Sequence, residues 1–506
     1  MTDTLDLSKS TIQGVYFLLR KVSIKPFLCK ADSEEAQQFC FSYRGSQSSI
    51  KEHLLSLIAN ARKKIFLASF RIGDHDLVDS LCSAAARLKG GVYVISALDE
   101  KSIAQGLEAE SDDIVVDLPT LNKQFDSLTK NGIYVRGHES CHAKFVVVDD
   151  EVALISSANM ESRALQEYKM DGPTGECGIV MRNKPEVLRC ARFFTRLWFS
   201  GCQWESRPGQ TYAVAKRSSA LSPCTVDPLK KGRPGVIWTA PGEDVILETI
   251  QDIISRAQKE LLLSSFSLKG MTTHPDLLLG RLEAAARKGV SIRIMLRARN
   301  NMEEHRRDAE AMLKAGISVH ADSLNHAKGV VADRKLGAIF SANFDADHGL
   351  TTGVEAGVRL HECRALSDTI RYFLHAMDNA DTELVLNPTH QDMNDRLAVG
   401  WKVAWPYDKT VHISCAKETW GEFTLSAGRG PVLFVTEVDG TVQILADTAT
   451  FTLRPVEGRD HYELQSAGLL PSEMLNTSRL IDVWLRRRGP INRRGGFCPA
   501  VFVRPS

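Results

Sequence analysis

Apolar and polar positions along this chain follow a series of rhythms that is spelled twice. "IANARKKIFLASFRI" from Ile58 closes a helically spaced apolar stripe, breaks at a polar cluster and enters an apolar run; "ISRAQKELLLSSFSL" from Ile254 does the same. Each predicts the end of an amphipathic helix followed by a buried strand. "AAARLKGGVYVISAL" from Ala84 and "AAARKGVSIRIMLRA" from Ala284 each read as a helix with a basic last turn, a Gly stop and a second apolar strand. "GIYVRGHESCHAKFVVVDD" from Gly132 then matches "GISVHADSLNHAKGVVADR" from Gly316, with a His ten residues after the Gly in both. Strands alternating with helices imply crossover connections. The predicted fold is α/β: two pseudo-twofold-related lobes with mixed, mostly parallel sheets.

The predicted boundaries place a first lobe at 1–217, a second at 235–386 and a separate β-rich C-terminal domain at 387–506. The stretch Ser218–Gly235, rich in Ser, Pro and Gly, reads as the joint between the lobes. An acidic insertion, "DEKSIAQGLEAESDDIVVDLPTL" from Asp99, lengthens the first lobe and reads as a surface elaboration or a lid. After Asn387 the texture shifts to short β-rich runs, with an Asp-Gly turn inside Val432–Pro455.

A chain of 506 residues is too long for one ordinary core, consistent with this division. Lys plus Arg (63) nearly balance Asp plus Glu (62), which argues against whole-surface polyanion binding but leaves room for a local basic groove. No apolar run is long enough to span a bilayer, and the start lacks a secretory pattern, so a soluble, cytoplasmic protein is expected. Eleven Cys, an odd number without a CxxC pair, read as reduced thiols and not as a disulfide framework or zinc site.

The polar residues that keep their spacing in both copies carry the chemistry. Read as a strand, "HAKFVVV" turns His142 and Lys144 to one side, and His326 and Lys328 repeat this. The neighbouring run ends with Ser157 and Asn159 in one copy and Ser341 and Asn343 in the other. An imidazole, an ammonium, a hydroxyl and an amide in one patch suit a phosphate; two patches brought together would surround one phosphoryl group.

This paired HxKxxxxD with a following Ser-x-Asn resembles the phospholipase D superfamily, over roughly Ile58 to Leu384. The resemblance implies a phosphohistidine mechanism with no metal and no cofactor: His142 as nucleophile, His326 as acid and base. Lys144, Lys328, Asn159 and Asn343 would hold the non-bridging oxygens, helped by Ser157 and Ser341. A later acidic residue orients each imidazole in the family, and Glu176 in "TGECGIV" and Glu355 in "GVEAGVR" are the candidates. Asp149 and Asp333 lie seven residues past each His, about 23 Å along an extended strand at ~3.3 Å per residue, and read as structural residues that stabilise turns. The pattern departs from the family's Gly before the motif Ser, with Ser156 in one copy and Phe340 in the other.

Superfamily members act on phospholipids or nucleic acids. "SANFDADHGLTTGVEAGV" resembles the tail of superfamily nucleases found beside helicases and in bacterial defence systems, whereas "NMESRAL" leans towards the Asn-x-x-x-Arg of cardiolipin synthases. Arg486, Arg487, Arg488, Arg493 and Arg494, near Trp484, are candidate phosphate contacts or a solvated basic face. The favoured reading is a DNA nuclease in antiphage defence, working beside a partner ATPase or helicase, since the chain has no Walker A motif. A soluble phospholipase D or phosphatidyltransferase, and an inactive partner-binding scaffold, are the alternatives; a homo-oligomer is compatible with each.

Overall fold

The computed structural model describes residues 14–29, 35–97, 125–166, 173–214, 232–300 and 302–389, a few isolated positions, and the backbone of eight strands between Thr410 and Pro505. The insertion from Asp99, most of the joint between the lobes and Arg486, Arg487, Arg488, Arg493 and Arg494 lie outside the described residues. The chain divides into two compact units, one made of Lys21–Ala298 with Glu304–Glu383, the other of Met1–Arg20, Arg299–Glu303 and Leu384–Ser506.

The first unit holds both copies of the repeat. In the first lobe the order is β1 (Gln37–Ser42), α1 (Ser49–Asn60), β2 (Ile65–Ala68), α2 (His75–Arg87), β3 (Val92–Ser96), β4 (Tyr134–Gly137), β5 (Phe145–Val148), β6 (Val152–Ser156), β7 (Glu176–Met181) and α3 (Lys184–Arg196). The second lobe repeats it as β8 (Gly235–Ala240), α4 (Val245–Arg256), β9 (Glu260–Ser264), α5 (Leu279–Arg287), β10 (Ser291–Arg297), α6 (Glu303–Lys314), β11 (Ser318–Asp322), β12 (Gly329–Ala332), β13 (Leu336–Phe340), β14 (Glu355–His361) and α7 (Arg364–Asp378). Helix α1 buries Ile50, Leu54 and Ile58, one apolar stripe at helical spacing, and starts where Ser48 accepts the Lys51 amide.

Seven strands correspond one to one, in the order β4-β3-β2-β5-β6-β7-β1 and β11-β10-β9-β12-β13-β14-β8. The sheets are mixed as expected, but the emphasis on parallel pairing needs correction. Only β2, β3 and β4, and their counterparts β9, β10 and β11, run parallel. The rest of each seven-strand core is antiparallel. The reason is connection length: Asp149–Glu151 and Asp333–Lys335 are long enough for a hairpin and far too short for a crossover.

The lobes bury one another's edges reciprocally. Helix α3 packs on β8 of the second lobe, and α7 packs on β1 of the first. Phe193 stacks on Trp238 with ring centroids 5.4 Å apart, and Tyr372 lies 5.8 Å from Phe39. Each such aromatic pair contributes about 0.5–1.5 kcal/mol beyond its buried area, so the interface is a continuous apolar core and not a loose contact. Cys141 and Cys177 are buried in that core, which pushes both thiols up to about 12. The described cysteines are free thiols.

In the second unit the strands described between Thr410 and Pro505 form an eight-stranded sheet, antiparallel apart from the pairing of Thr410–Ser414 with Val501–Pro505. Leu433–Thr436 and Val442–Ala446 pair antiparallel; the Asp-Gly read between them in the sequence lies outside the described residues. Among the described residues no helix is long and apolar enough to cross a membrane.

Candidate active site

The motif His and Lys do not lie within a strand of their own lobe. Strands β5 and β12 begin at Phe145 and Gly329, and the extended residues before them cross to the other lobe. The His142 amide donates to the Val354 carbonyl at 2.9 Å, and the Val354 amide donates to Ser140 O at 2.9 Å. In the other half the His326 amide donates to Gly175 O at 2.8 Å, and the Gly175 amide to Leu324 O at 2.8 Å. The residue after each inter-lobe bridge is a candidate glutamate. This backbone exchange therefore delivers Glu355 to His142 and Glu176 to His326.

Both contacts are short. His142 Nδ1 lies 2.8 Å from Glu355 Oε1, and His326 Nδ1 lies 2.7 Å from Glu176 Oε1. The motif serines secure the second carboxylate oxygens: Ser341 donates to Glu355 Oε2, and Ser157 donates to Glu176 Oε2 at 2.5 Å. Each serine oxygen in turn accepts the amide that follows its glutamate, from Ala356 at 3.0 Å and Cys177 at 3.1 Å. Burial raises the carboxyl of Glu176, but His326, its hydrogen bond, Lys328 and Ser157 outweigh this and hold it below the ordinary range. A carboxylate fixed on Nδ1 sets the tautomer, with the Nδ1 proton shared with the carboxylate and the ring lone pair on Nε2.

The two halves are not equal. Thr174 donates a further hydrogen bond to Glu176 Oε1 at 2.7 Å, whereas the matching position before Glu355 is Gly353. Lys328 Nζ is 2.9 Å from His326 Nε2, while Lys144 Nζ donates to the His142 carbonyl at 2.8 Å. Both lysines are fully buried, and Asn159 and Asn343 are buried beside their serines. Phe70 and Phe266 flank the imidazoles, with ring centroids 5.9 Å from His142 and 4.9 Å from His326.

Asp149 and Asp333 stand apart from the imidazoles, each in the left-handed region at its hairpin turn. The Asp149 carboxylate accepts the amides of Arg62, Lys63 and Lys64 at 2.6, 2.7 and 2.9 Å. Asp333 accepts those of Gln258, Lys259 and Glu260 at 2.8, 2.8 and 2.9 Å. Burial raises both carboxyls, and the backbone donors more than reverse this, so both sit below the ordinary carboxylate range. Each aspartate thus ties the motif hairpin to the turn that leads into its neighbouring strand.

Several residues of the site, Arg71 and Arg297 among them, were not singled out in the sequence, whereas Arg163 is the Arg of the Asn-x-x-x-Arg in "NMESRAL". A cleft beside His326 is lined by Arg71, Arg163 and Arg297 together with Asn159 and Glu176. The pair Ser-Phe before Arg71, repeated at Ser265-Phe266, was the available signal. Its serines, Ser69 and Ser265, accept the amides of Met160 and Phe344 just past each motif Asn. Gly178 and Gly357, two residues past each glutamate, are also needed. A Cβ there would come within 2.8 Å of Ser156 Cβ and 2.6 Å of Phe340 Cβ, the residues that replace the family's glycine.

The chain matches the family described as cardiolipin synthase, PLD-like domain, over residues 54–198 and 250–377. No curated protein matches it. Among solved structures, phosphatidylserine synthase of Haemophilus influenzae Rd KW20 is 14% identical with a TM-score of 0.49, over 69% of this chain and 87% of that one. Polyphosphate kinase of Porphyromonas gingivalis is 14% identical with a TM-score of 0.42, over 69% and 51%. The phospholipase D family member Nuc of Salmonella typhimurium is 15% identical with a TM-score of 0.26, over 34% and 97%. The two matched segments contain both HxK motifs and together take in more than half of the 506 residues, and the chain belongs to the phospholipase D-like domain family.

Proposed function

We propose that this protein is a phosphodiesterase that cleaves DNA through a phosphohistidine intermediate. The observation that supports the reading is the reciprocal exchange of carboxylates, in which each lobe supplies the Nδ1 partner of the other lobe's imidazole. His142 Nε2 attacks phosphorus, a P–N bond forms, and the bond to the departing oxygen breaks as His326 gives that oxygen its proton. Water then attacks the phosphohistidine, His326 takes the proton, and the P–N bond breaks. Lys144, Lys328, Asn159 and Asn343 supply fixed donors for the non-bridging oxygens as charge shifts onto them. The pairing of opposite roles, not two independent centres, follows from having one phosphorus between two histidines.

Assignment of DNA as substrate is supported by three arginines in the cleft beside His326, a lining suited to polyanions. The nuclease-like tail of the second motif, around Gly349-Leu350 and Glu355, points the same way and is the basis for a role in antiphage defence beside a partner ATPase. A second reading, phosphatidyl transfer, is favoured by the family's description and by Arg163 four residues after Asn159. The experiment is a screen of purified protein in EDTA against DNA, RNA and phospholipid vesicles, with acid-labile phosphoenzyme trapped on His142. DNA cleavage with such an adduct is expected. Head-group release from vesicles without any DNA cleavage would establish the second reading instead.

A further inference from the structure

The cleft beside His326 is electrostatically one-sided. Arg71 and Arg163 come from the first lobe and Arg297 from the end of β10. The repeat aligns these positions with Ser267, Asp347 and Ala97, so none of the three cations has a cationic counterpart in the other half. Arg71 and Arg297 are nearly fully buried, at 7% and 3% exposure. They lie over Phe70 and Phe266, 5.5 and 5.8 Å from the ring centroids, the same rings that flank the histidines. Burying a guanidinium is costly unless an anion meets it. Arg71 forms an ion pair with Glu161, whose Oε1 lies 3.6 Å from Nη1, beyond good hydrogen-bond length. Arg71 Nη2 is buried with no hydrogen-bond partner among the described residues. The other carboxylate in the cleft, Glu176, is committed to His326, Ser157 and Thr174.

We propose that Arg71, Arg163 and Arg297 form a subsite for a second phosphate of the substrate, next to the scissile one and on the side of His326. The inference rests on the nucleic-acid reading above and deepens it: the second phosphate is the neighbouring diester of a DNA strand. Because His326 protonates the departing oxygen, the phosphate in this subsite belongs to the departing fragment. A substrate with one phosphate leaves Arg71 Nη2 with no anion to meet it, so the enzyme discriminates by counting phosphates and not by reading bases.

The test is inhibition of bis(4-nitrophenyl) phosphate hydrolysis by thymidine 3′,5′-bisphosphate, by each thymidine monophosphate and by pyrophosphate. The readout is the ratio of inhibition constants. In the wild-type protein the bisphosphate should inhibit on the order of tenfold more tightly than either monophosphate, one charge-assisted contact set being of that size. Arg71→Gln and Arg297→Gln should each reduce that ratio towards one, and Arg71→Lys should retain part of it; thermal melting identifies any variant that fails to fold. Equal inhibition by mono- and bisphosphates in the wild type would overturn the subsite. Preference for pyrophosphate alone would overturn the DNA assignment in favour of a diphosphate-bearing head group. If the nitrophenyl ester is not hydrolysed at all, the proposed activity fails, and calorimetric titration of His142→Ala protein with the same nucleotides still decides the subsite.

Discussion

Replacement of Glu176 by Gln tests the inter-lobe exchange most directly, because the residue belongs to one lobe and acts on the histidine of the other. The amide keeps the size of the side chain and an acceptor for His326 Nδ1, so the loss is chiefly that of charge. With Nδ1 and Oε1 at 2.7 Å, the centres of charge in an imidazolium–carboxylate pair lie roughly 4 Å apart. At an effective dielectric constant of about 20 the attraction is about 4 kcal/mol, close to three decades in rate. Glu176→Gln should therefore lower kcat on DNA about a thousandfold with little change in KM. An activated ester separates the roles further. Nitrophenolate needs little help from an acid, so the variant should release a burst of it and then stall as phosphohistidine, because deprotonation of water by His326 is impaired. Glu355→Gln, which acts on His142, should show no burst. The wild-type acid limb has the same origin: the Glu176 carboxyl is held below its ordinary range, so its contribution is present above that range and is lost as pH falls through the lowered pKa. A Glu176→Gln protein within tenfold of wild type on DNA, or a burst from Glu355→Gln instead, would refute the assignment.

Three further outcomes are expected. His142→Ala and His326→Ala should each abolish steady-state turnover of DNA, as measured by strand cleavage; half the activity in each would mean two separate centres. Cleavage should continue in excess EDTA, since imidazole, ammonium and amide groups supply the charge stabilisation; complete loss restored by magnesium would sink the phosphohistidine route. Asp149→Asn should destabilise the protein by about 1–3 kcal/mol in denaturant titrations at neutral pH, because a buried carboxylate meeting three amides becomes a poorer acceptor. Its folded pKa is depressed, so the stabilisation is present above the ordinary carboxylate range and lost as pH falls through the lowered value; the difference from wild type should vanish in acid.

The lobes were legible because helical and strand periodicities are local, and a local pattern repeated with matched polar residues implies a repeated fold. The His, Lys and Asn candidates were legible for the same reason and the two glutamates through the family resemblance; the structure sets each glutamate against the histidine of the other lobe. What spacing cannot convey is which copy's glutamate meets which histidine. "HAKFVVV" also reads as one strand because extended backbone looks alike whether it pairs within a lobe or across two; here it changes partner at Phe145. The excess of parallel pairing was inferred from alternating helices and strands, while the hairpins at Asp149 and Asp333 were recognised only as turns. Arg71 falls inside "IANARKKIFLASFRI", which reads as a helix end running into one buried strand. In fact β2 ends at Ala68, and the three residues that follow turn into the site.

The reciprocal carboxylates have a consequence for the protein while it is still being made. When the first lobe has been made it carries His142, Lys144 and Asn159, but Glu355, the carboxylate that meets His142, lies 213 residues beyond that histidine and is still to be synthesised. On the proposed mechanism, a half-finished chain therefore holds an imidazole with neither its orienting anion nor its proton-donating partner, and it should be inactive towards phosphodiesters. Reactivity begins only when the second lobe has folded and docked. On that mechanism completion of the polypeptide is itself the activating step, and a product truncated before Glu355 should be inactive without any inhibitor to restrain it.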